Sequence, residues 1–410
     1  MANQFLNVQW ISDTVLELLL NELTVCEYFD HSFKKDFEKE FAVGSTIQVK
    51  FPQYFLVSDG PGYQPQGIDR ISTTVSLDQW IQIAWEWDDY EAAVKAERSE
   101  KEIREQYLEP AASQIAQEWD SRAALWAKNN TNNVKGILGT DATSIGTYFG
   151  ADQRLWELAC PDKKRCMLVS SSMMTSIGEN ITTLFNPPDE ISKVFKNRAL
   201  GRMAGFDWFQ SQSLWSQTAG TIASTLTVVG SGQSGTSLVV TGTSGDTLNQ
   251  GDKITLGAVY QVNPRTRRYP GPKTLKNFVV TQSITLTGGN DTISILPAIY
   301  GPGSQYQNVD ALPLNAAAVT LWPGTTNPNG LSGTVGLAIT RSAFAMVAGK
   351  LYLPSAVEAR SAAQDADTGM AIRWVKFWDP VRSLKGDRYD SIGGFGNLYQ
   401  DNGAVAVVGA

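Results

Sequence analysis

The residues of this chain best suited to nucleophilic, proton-transfer or metal chemistry are one histidine, His31, and three cysteines, Cys26, Cys160 and Cys166. A lone histidine argues against His-based triads, His-rich zinc sites and imidazole general-base schemes. It lies in the mixed polar run Glu27-Tyr-Phe-Asp-His-Ser-Phe-Lys-Lys35 and reads as a solvated or capping side chain. Three widely spaced cysteines cannot form a disulfide framework and fit a reducing compartment. Cys160 and Cys166 flank Pro161-Asp-Lys-Lys-Arg165 without the two further soft ligands a metal clip needs, so they read as ordinary thiols.

The remaining motif matches are weak. Ser32-Phe-Lys-Lys35 has S-x-x-K spacing, but no S-D-N or K-T-G partner follows. Gly230-Ser-Gly-Gln-Ser-Gly235 lacks the lysine and the strand–helix setting of a phosphate loop, and Gly393-Gly-Phe-Gly396 lacks a third glycine at dinucleotide spacing. Both read as turns. Asp88, Asp89 and Glu91 have the types for acid–base or metal work. They also open a charged helical stretch, where a solvated first turn is the simpler account. No active site, metal or cofactor is expected.

Length and composition bound the rest. The chain has 410 residues, enough for two or three domains, and is 42% hydrophobic and 10% aromatic. A net charge of −7 argues against tight, sequence-independent binding to nucleic acid, which needs clustered lysine and arginine. The N-terminus shows no basic region followed by a long apolar run, and the apolar run 16–20 is too short to span a bilayer. A soluble intracellular product with no membrane contact is expected.

The elements read as follows. Ser12 or Asp13 caps a helix to about Cys26 with Val15, Leu16, Leu19, Leu20 and Leu23 on one stripe. The stretch 31–40 is charged and extended or mobile. A strand carries Ile47, Val49 and Phe51, and a longer one alternates Val75, Leu77, Gln79, Ile81, Ile83 and Trp85. With the Gly/Pro-bearing connection between them they read as a long hairpin arm, whose edge needs cover from another surface. A helix of on the order of 60 Å follows at about 86–128, supported by Glu91/Lys95, Glu97/Lys101 and Glu100/Arg104 pairs. Leu108, Ala112, Ile115, Trp119, Ala123 and Trp126 form its buried face, and Pro110 marks a kink or a fresh first turn.

Mixed α/β character continues with a helix near 152–160, a strand at 167–169, a helix ahead of Asn186-Pro-Pro188, and a strand in Gly205-Phe-Asp-Trp-Phe209. Composition then changes abruptly. Residues 216–262 hold only three charged side chains, Asp246, Asp252 and Lys253. Short β segments at 226–229, 238–241, 253–256, 278–281 and 292–295, separated by Gly-rich turns, imply a small barrel or sandwich. Its basic run, Arg265, Arg267 and Arg268 with Lys273 and Lys276, reads as an exposed loop or a charge-matched subunit contact, with a nucleic-acid patch as the alternative. A helix near 342–348 and strands at 372–377 and 404–408 close the chain, so the β-rich unit is inserted in an α/β domain.

This order of parts resembles the major capsid proteins of tailed bacteriophages, and within them the coat proteins of short-tailed Salmonella phages that carry an inserted β-barrel. The resemblance rests on Met203-Ala-Gly-Phe-Asp207, on Gly251 to Pro264 with Phe278-Val-Val-Thr281 and Thr292 to Pro297, on Leu337 to Met346, and on Met370 to Pro380. It implies an α+β chain of the Hong-Kong-ninety-seven-type capsid fold with a long spine helix, an extended β-hairpin loop and an inserted small β-barrel. The implied parts are an N-terminal arm (1–44), the extended loop (45–85), spine helix and peripheral domain (86–150), axial domain (151–215), barrel (216–318), and the axial remainder returning to the peripheral domain (319–410).

Self-assembly follows from the resemblance: hexamers and pentamers of an icosahedral shell, scaffolding and portal partners, and phage DNA enclosed without sequence-specific binding. The resemblance also implies a chain made in the host cytoplasm and residing in the virion capsid. Phe55, Gly60, Tyr63, Gln64, Asp69, Arg70, Arg265, Arg267 and Arg268 are the expected subunit contacts, and Ile115, Trp119 and Trp126 the spine packing. One departure is that the insert is compact and poor in acidic residues, where the resemblance implies a longer insert with an acidic loop touching a neighbouring capsomer. Two other classes stand beside this reading: a β-rich glycan-binding or adhesion protein reading with residues 216–310, and a carboxylate hydrolase using Asp88 and Asp89.

Overall fold

The computed structural model describes residues 8–33, 46–51, 54–57, 59–68, 71–88, 107–160, 164–184, 202–269, 271–322, 329–355, 357–379 and 384–409. They form two compact units, one of residues 1–49, 73–123 and 344–398, the other of residues 50–72, 124–343 and 399–410. The proposed carboxylates Asp89 and Glu91, the charge pairs between 91 and 104, Asp69 and Arg70 lie outside the described residues.

The first unit is built on a five-stranded antiparallel sheet. Strand Leu384–Asn397 is its axis, pairing with Phe344–Gly349, with Ala371–Asp379 and, along residues 384–393, with Gln79–Asp88. Ala359–Gln364 adds outside Ala371–Asp379. Residues 86–88 therefore belong to a strand, not to the start of a helix, because their ladder partners lie three hundred residues away and leave no local signal. The long strand expected at 75–85 is two strands. Ser72–Ser76 pairs with Thr46–Lys50 in a separate two-stranded sheet, and Gln79–Asp88 enters the larger one. Buried Phe344–Gly349 replaces the helix expected near 342–348. An apolar run covered on both faces carries no period that separates the two conformations.

Helix Val8–Glu22 packs on this sheet against Ala359–Gln364 and Ala371–Asp379. It starts earlier than its expected cap, so Ser12 is an interior, fully buried position, but Val15, Leu16, Leu19 and Leu23 form the buried stripe as expected. The next helix in this unit runs Glu109–Asn130 with Pro110 in its first turn, where the missing N–H costs nothing. Its 22 residues span about 33 Å at about 1.5 Å each, and residues 89–106 of the helix expected from sequence lie outside the described residues. Leu108, Ala112, Ile115, Trp119 and Ala123 are buried, whereas Trp126 is only partly so.

Gly393-Gly-Phe-Gly396 is not a turn but the interior of the axis strand. A β-carbon on Gly393 would come within 2.8 Å of the Trp119 ring, on Gly394 within 1.7 Å of the Ser76 carbonyl, and on Gly396 within 2.3 Å of Val75. Glycine stands here because neighbouring groups occupy the space a side chain needs. Asp390, wholly buried in the same strand, accepts hydrogen bonds from the Trp80 indole, Arg373 and Arg388 and so ties three strands together.

The second unit holds a seven-stranded sheet in the order Asn133–Gly136, Ala404–Val408, Ser332–Thr340, Arg165–Val169, Phe206–Gln210 and Arg202–Met203, with Ser216–Thr218 beside Ser332–Thr340. Met203 and Phe206 are joined by Ala204 and Gly205, both at positive φ (53° and 82°), as a two-residue hairpin turn requires. Helices Ile145–Glu157 and Ser171–Leu184 contribute Tyr148, Leu155, Met173 and Ile177 to a core with Met167, Val169, Phe206 and Val407. Cys160 and Cys166 are buried and not joined in a disulfide.

The β-rich stretch closes into a six-stranded barrel: Gly235–Thr241, Asp291–Ile299, Leu275–Val280, Lys253–Tyr260, Ala318–Leu321 and Leu226–Val228. Alternate residues such as Leu226, Val228, Leu238, Val240, Ile254, Ile293 and Ile295 are buried. Closure removes the sheet edges that short strands of this kind would otherwise expose. Gly245, Gly251 and Gly288, expected turn glycines, all have φ near +90°.

Candidate functional site

The three charged residues of the barrel's polar stretch are all buried. Asp246 accepts from the backbone N–H groups of Ala223 and Thr243 (2.8 and 3.2 Å). Asp252 accepts from those of Gly220 and Asn249 and from the Gln217 amide (3.0, 2.8 and 2.8 Å). The Lys253 ammonium donates to the Lys128 and Gly251 carbonyls (2.9 and 2.8 Å) in a small cleft shared with Gln217, Val134, Leu321 and Trp322. Burial lowers the Lys253 pKa to about 7, against the pull of Asp252 and with the push of Lys128. Burial likewise raises Asp252 and lowers Lys128.

An amine titrating near neutrality is what covalent amine catalysis uses. Here, however, it is committed to the last turn of a helix and a barrel turn, where it works as a staple. Its folded pKa lies below its unfolded value, so between about pH 7 and 10.5 the unfolded chain holds more protons and stability rises with pH. From pH 7 to 9 Lys253 alone contributes a gain of about 2 kcal/mol. Urea titrations at the two pH values test this, and Lys253→Met is expected to reduce the slope by that amount, leaving the smaller contribution of Lys128.

His31 is not solvated: it is 6% exposed, with Nε2 3.0 Å from the Cys26 carbonyl oxygen. Next to it, Asp30 forms a parallel bridge with Ala345, while residues 34–40 of the stretch expected to be extended or mobile lie outside the described residues. Among the described residues no group of three His, Cys, Asp or Glu side chains could hold a metal ion, and no helix is long and apolar enough to cross a membrane.

The second candidate is a contact surface at one end of the barrel, where the loop 54–68 is seated. The loop closes on itself: Gln66 accepts from the Leu56 N–H (2.8 Å) and donates to the Leu56 carbonyl. Its stem continues through the Phe51 N–H to Ile71 carbonyl bond (3.0 Å). The Arg267 guanidinium donates to the Phe55 carbonyl (3.3 Å) and to that of Gln305 (3.1 Å), and the Gln305 amide donates to the Gly67 carbonyl (2.6 Å). The Tyr54 and Tyr306 rings meet edge to face, 5.7 Å apart.

Local hydrogen bonds shape this seat. Asn263 accepts from the N–H groups of Arg265 and Thr266 and donates to the Glu157 carbonyl. That turn puts Arg267 at φ +55°. Asn308 accepts from the Tyr300 N–H and donates to the Ala298 carbonyl. Asp310 accepts from the Tyr260 N–H and the Tyr269 hydroxyl, which holds that phenol's pKa up.

Of the expected contact residues, the structure joins Phe55 and Arg267. Gly60, Tyr63, Gln64, Arg265 and Arg268 are exposed. Lys276, grouped with the basic run, is instead buried and paired with Asp401 (2.5 Å). Lys273 lies over the Tyr260 and Tyr269 rings. Sequence reasoning missed Tyr54, Gln66, Gln305 and Tyr306. Only the tyrosine density of residues 300–306 hinted at a contact surface.

No protein-family model and no curated protein matches the chain. Solved structures similar to it include a chain of Mycobacterium phage Che8, at 12% identity and TM-score 0.48, covering 94% of this chain and 90% of that one. The capsid of the cyanophage P-SCSP1u is similar at 12% identity and TM-score 0.43, covering 91% and 86%. The mature capsid of bacteriophage PhiM1 follows at 9% identity and TM-score 0.43, covering 89% and 82%.

Proposed function

We propose that this chain is a major capsid protein, a non-enzymatic subunit that assembles into the hexamers and pentamers of an icosahedral phage shell. The observation that carries the reading is the loop 54–68. It is held by hydrogen bonds, yet it leaves Phe55, Val57, Tyr63 and Ile68 exposed at 64%, 93%, 92% and 68%. An ordered loop presenting four large apolar side chains to solvent is a surface made to be covered. The inserted barrel, the helix Glu109–Asn130 and the motif stretches at Met203–Asp207, Gly251–Pro264 and Met370–Pro380 supply the parts the capsid resemblance implies. Within that group the residue likeness favours the coat proteins of short-tailed Salmonella phages.

A net charge of −7 lets such a subunit enclose DNA without gripping it. The other partners on this reading are scaffolding and portal proteins, and its residence is the virion, after synthesis in the host cytoplasm. Deleting residues 55–70 is expected to leave a soluble subunit that forms no normal particles. Normal particles in electron micrographs overturn the assignment. Selective binding on a glycan array would favour a carbohydrate reader instead.

A further inference from the structure

We infer that the chain carries a covalent clasp: Lys276 of the inserted barrel and Asn132 beside the seven-stranded sheet join in an isopeptide bond, with Asp401 moving the protons. Asn132 immediately precedes strand Asn133–Gly136, and Lys276 lies in the barrel strand Leu275–Val280. Asp401 sits in the short helix Gln400–Gly403 that leads into Ala404–Val408. Segments far apart in sequence thus meet at one carboxylate.

Lys276 and Asn132 are both wholly buried. The Asp401 Oδ1 oxygen accepts from Lys276 Nζ at 2.5 Å and from Asn132 Nδ2 at 2.8 Å, so amine and amide share one proton-carrying group. Asn132 Nδ2 also donates to the Asn277 carbonyl at 3.1 Å, which holds the amide against the residue next to Lys276. Asn133 fixes the backbone here, donating to the Asp401 and Ala404 carbonyls at 2.8 and 3.1 Å. The Asn132 Oδ1 oxygen is buried without a hydrogen-bond partner, a cost that the unreacted arrangement carries. Burial lowers the Lys276 pKa, against the pull of Asp401 and with the push of Arg154. The uncharged amine so favoured is the nucleophilic form. A structural ion pair needs only Lys276 and Asp401; it does not account for an amide placed on the same oxygen.

The step closes with these groups alone. Lys276 passes a proton to Asp401, leaving a neutral amine beside a carboxylic acid. Nζ adds to the Asn132 amide carbon, Asp401 protonates Nδ2 and takes a proton from Nζ, and the bond from that carbon to Nδ2 breaks. Ammonia leaves as ammonium, carrying off the remaining proton of the ion pair, and Asp401 ends as the carboxylate it began as. No oxidant or reductant enters. The Asp401 side chain is 20% exposed, which gives the ammonium a way out. Each chain acts on itself once, and the product ties the barrel to the sheet.

Mass spectrometry of the full-length folded chain tests this. The chain is expected to weigh one ammonia less than its sequence, and digestion to yield a branched peptide joining residues 132 and 276. Lys276→Arg is expected to keep its full mass and to migrate more slowly on a denaturing gel, having no closed loop. Asp401→Asn is expected to form the bond at least about tenfold more slowly, followed by mass over time after refolding. A native chain that keeps its full mass overturns the clasp. Ammonia loss without the branched peptide, as cyclisation of an asparagine onto its own backbone gives, overturns it too. Loss of water with a branch at Asp401 instead overturns the roles given to Asn132 and Asp401. The bond is internal to one chain, so none of these results touches the capsid reading.

Discussion

Trp119→Ala lowers the unfolding free energy by about 3–5 kcal/mol, the range for truncating a fully buried indole. Trp119 has no exposed surface, lies edge to face with Phe395 at 6.1 Å between centroids, and donates from Nε1 to the Ser391 hydroxyl at 3.2 Å. Gly393 is bare so that the ring can lie against the strand. Collapse into the vacated volume is therefore opposed by backbone on one side and an aromatic ring on another, which keeps the cavity cost high. Trp126, further along the same helix, is only partly buried, and its truncation is expected to cost under about 2 kcal/mol. Urea titrations measure both. A loss below about 1 kcal/mol for Trp119→Ala would contradict this packing.

Asp120→Ala is expected to cost about 3–5 kcal/mol by a different route. Its carboxylate, 3% exposed, accepts from the consecutive N–H groups of Thr24, Val25 and Cys26 at 2.7, 3.0 and 2.9 Å and from the Thr24 hydroxyl at 2.7 Å. Removing it leaves buried donors without an acceptor, at roughly 1–3 kcal/mol each, and no water can reach them at no cost. Burial first, and the Asp120 charge second, also push the Cys26 thiol well up, so the native thiol is expected to resist alkylation. Amide hydrogen exchange reads the loss locally, since protection at residues 24–26 should fall further than at Ile115. Equal protection in the variant and the parent would show that the anchor lies elsewhere. Asp120→Asn keeps one acceptor oxygen and should lose less.

These two residues show where sequence reading succeeds. Trp119 was legible because Leu108, Ala112, Ile115, Trp119 and Ala123 recur at helical spacing, and a periodic stripe needs no knowledge of its partner. Asp120, one position on, stands outside that stripe and carries no signal of its own. Its partners are 94 to 96 residues away in sequence, and no local pattern records them. The same contrast separates the barrel strands, announced by alternation and turn glycines, from Gly393–Gly396, whose glycines answer to Trp119, Ser76 and Val75.

The contact surface was half legible. Phe55 and Arg267 drew notice as exposed-type residues in loops, but nothing in the order of residues says that one would receive a hydrogen bond from the other. Tyr54, Gln66, Gln305 and Tyr306 carry no spacing signal at all, because a loop-to-loop contact has no period. Likewise Lys253 and Asp252 stood out only as rare charges in a polar stretch, and His31 read as solvated or capping. Burial of each depends on what packs over it.

The amino-acid sequence by itself determined the amphipathic helices, the β-rich insert, the turns at Gly230–Gly235, Gly245, Gly251 and Gly288, and the scarcity of catalytic residue types. Each of those is set by composition or by interactions within a few positions. Only the tertiary structure decided that 86–88 is a strand, that 344–349 is a strand, that the insert closes into a barrel, and that the loop 54–68 meets Arg267 and Gln305. Those outcomes rest on hydrogen bonds and buried contacts between residues tens to hundreds of positions apart, whose energies exceed the local preferences they override.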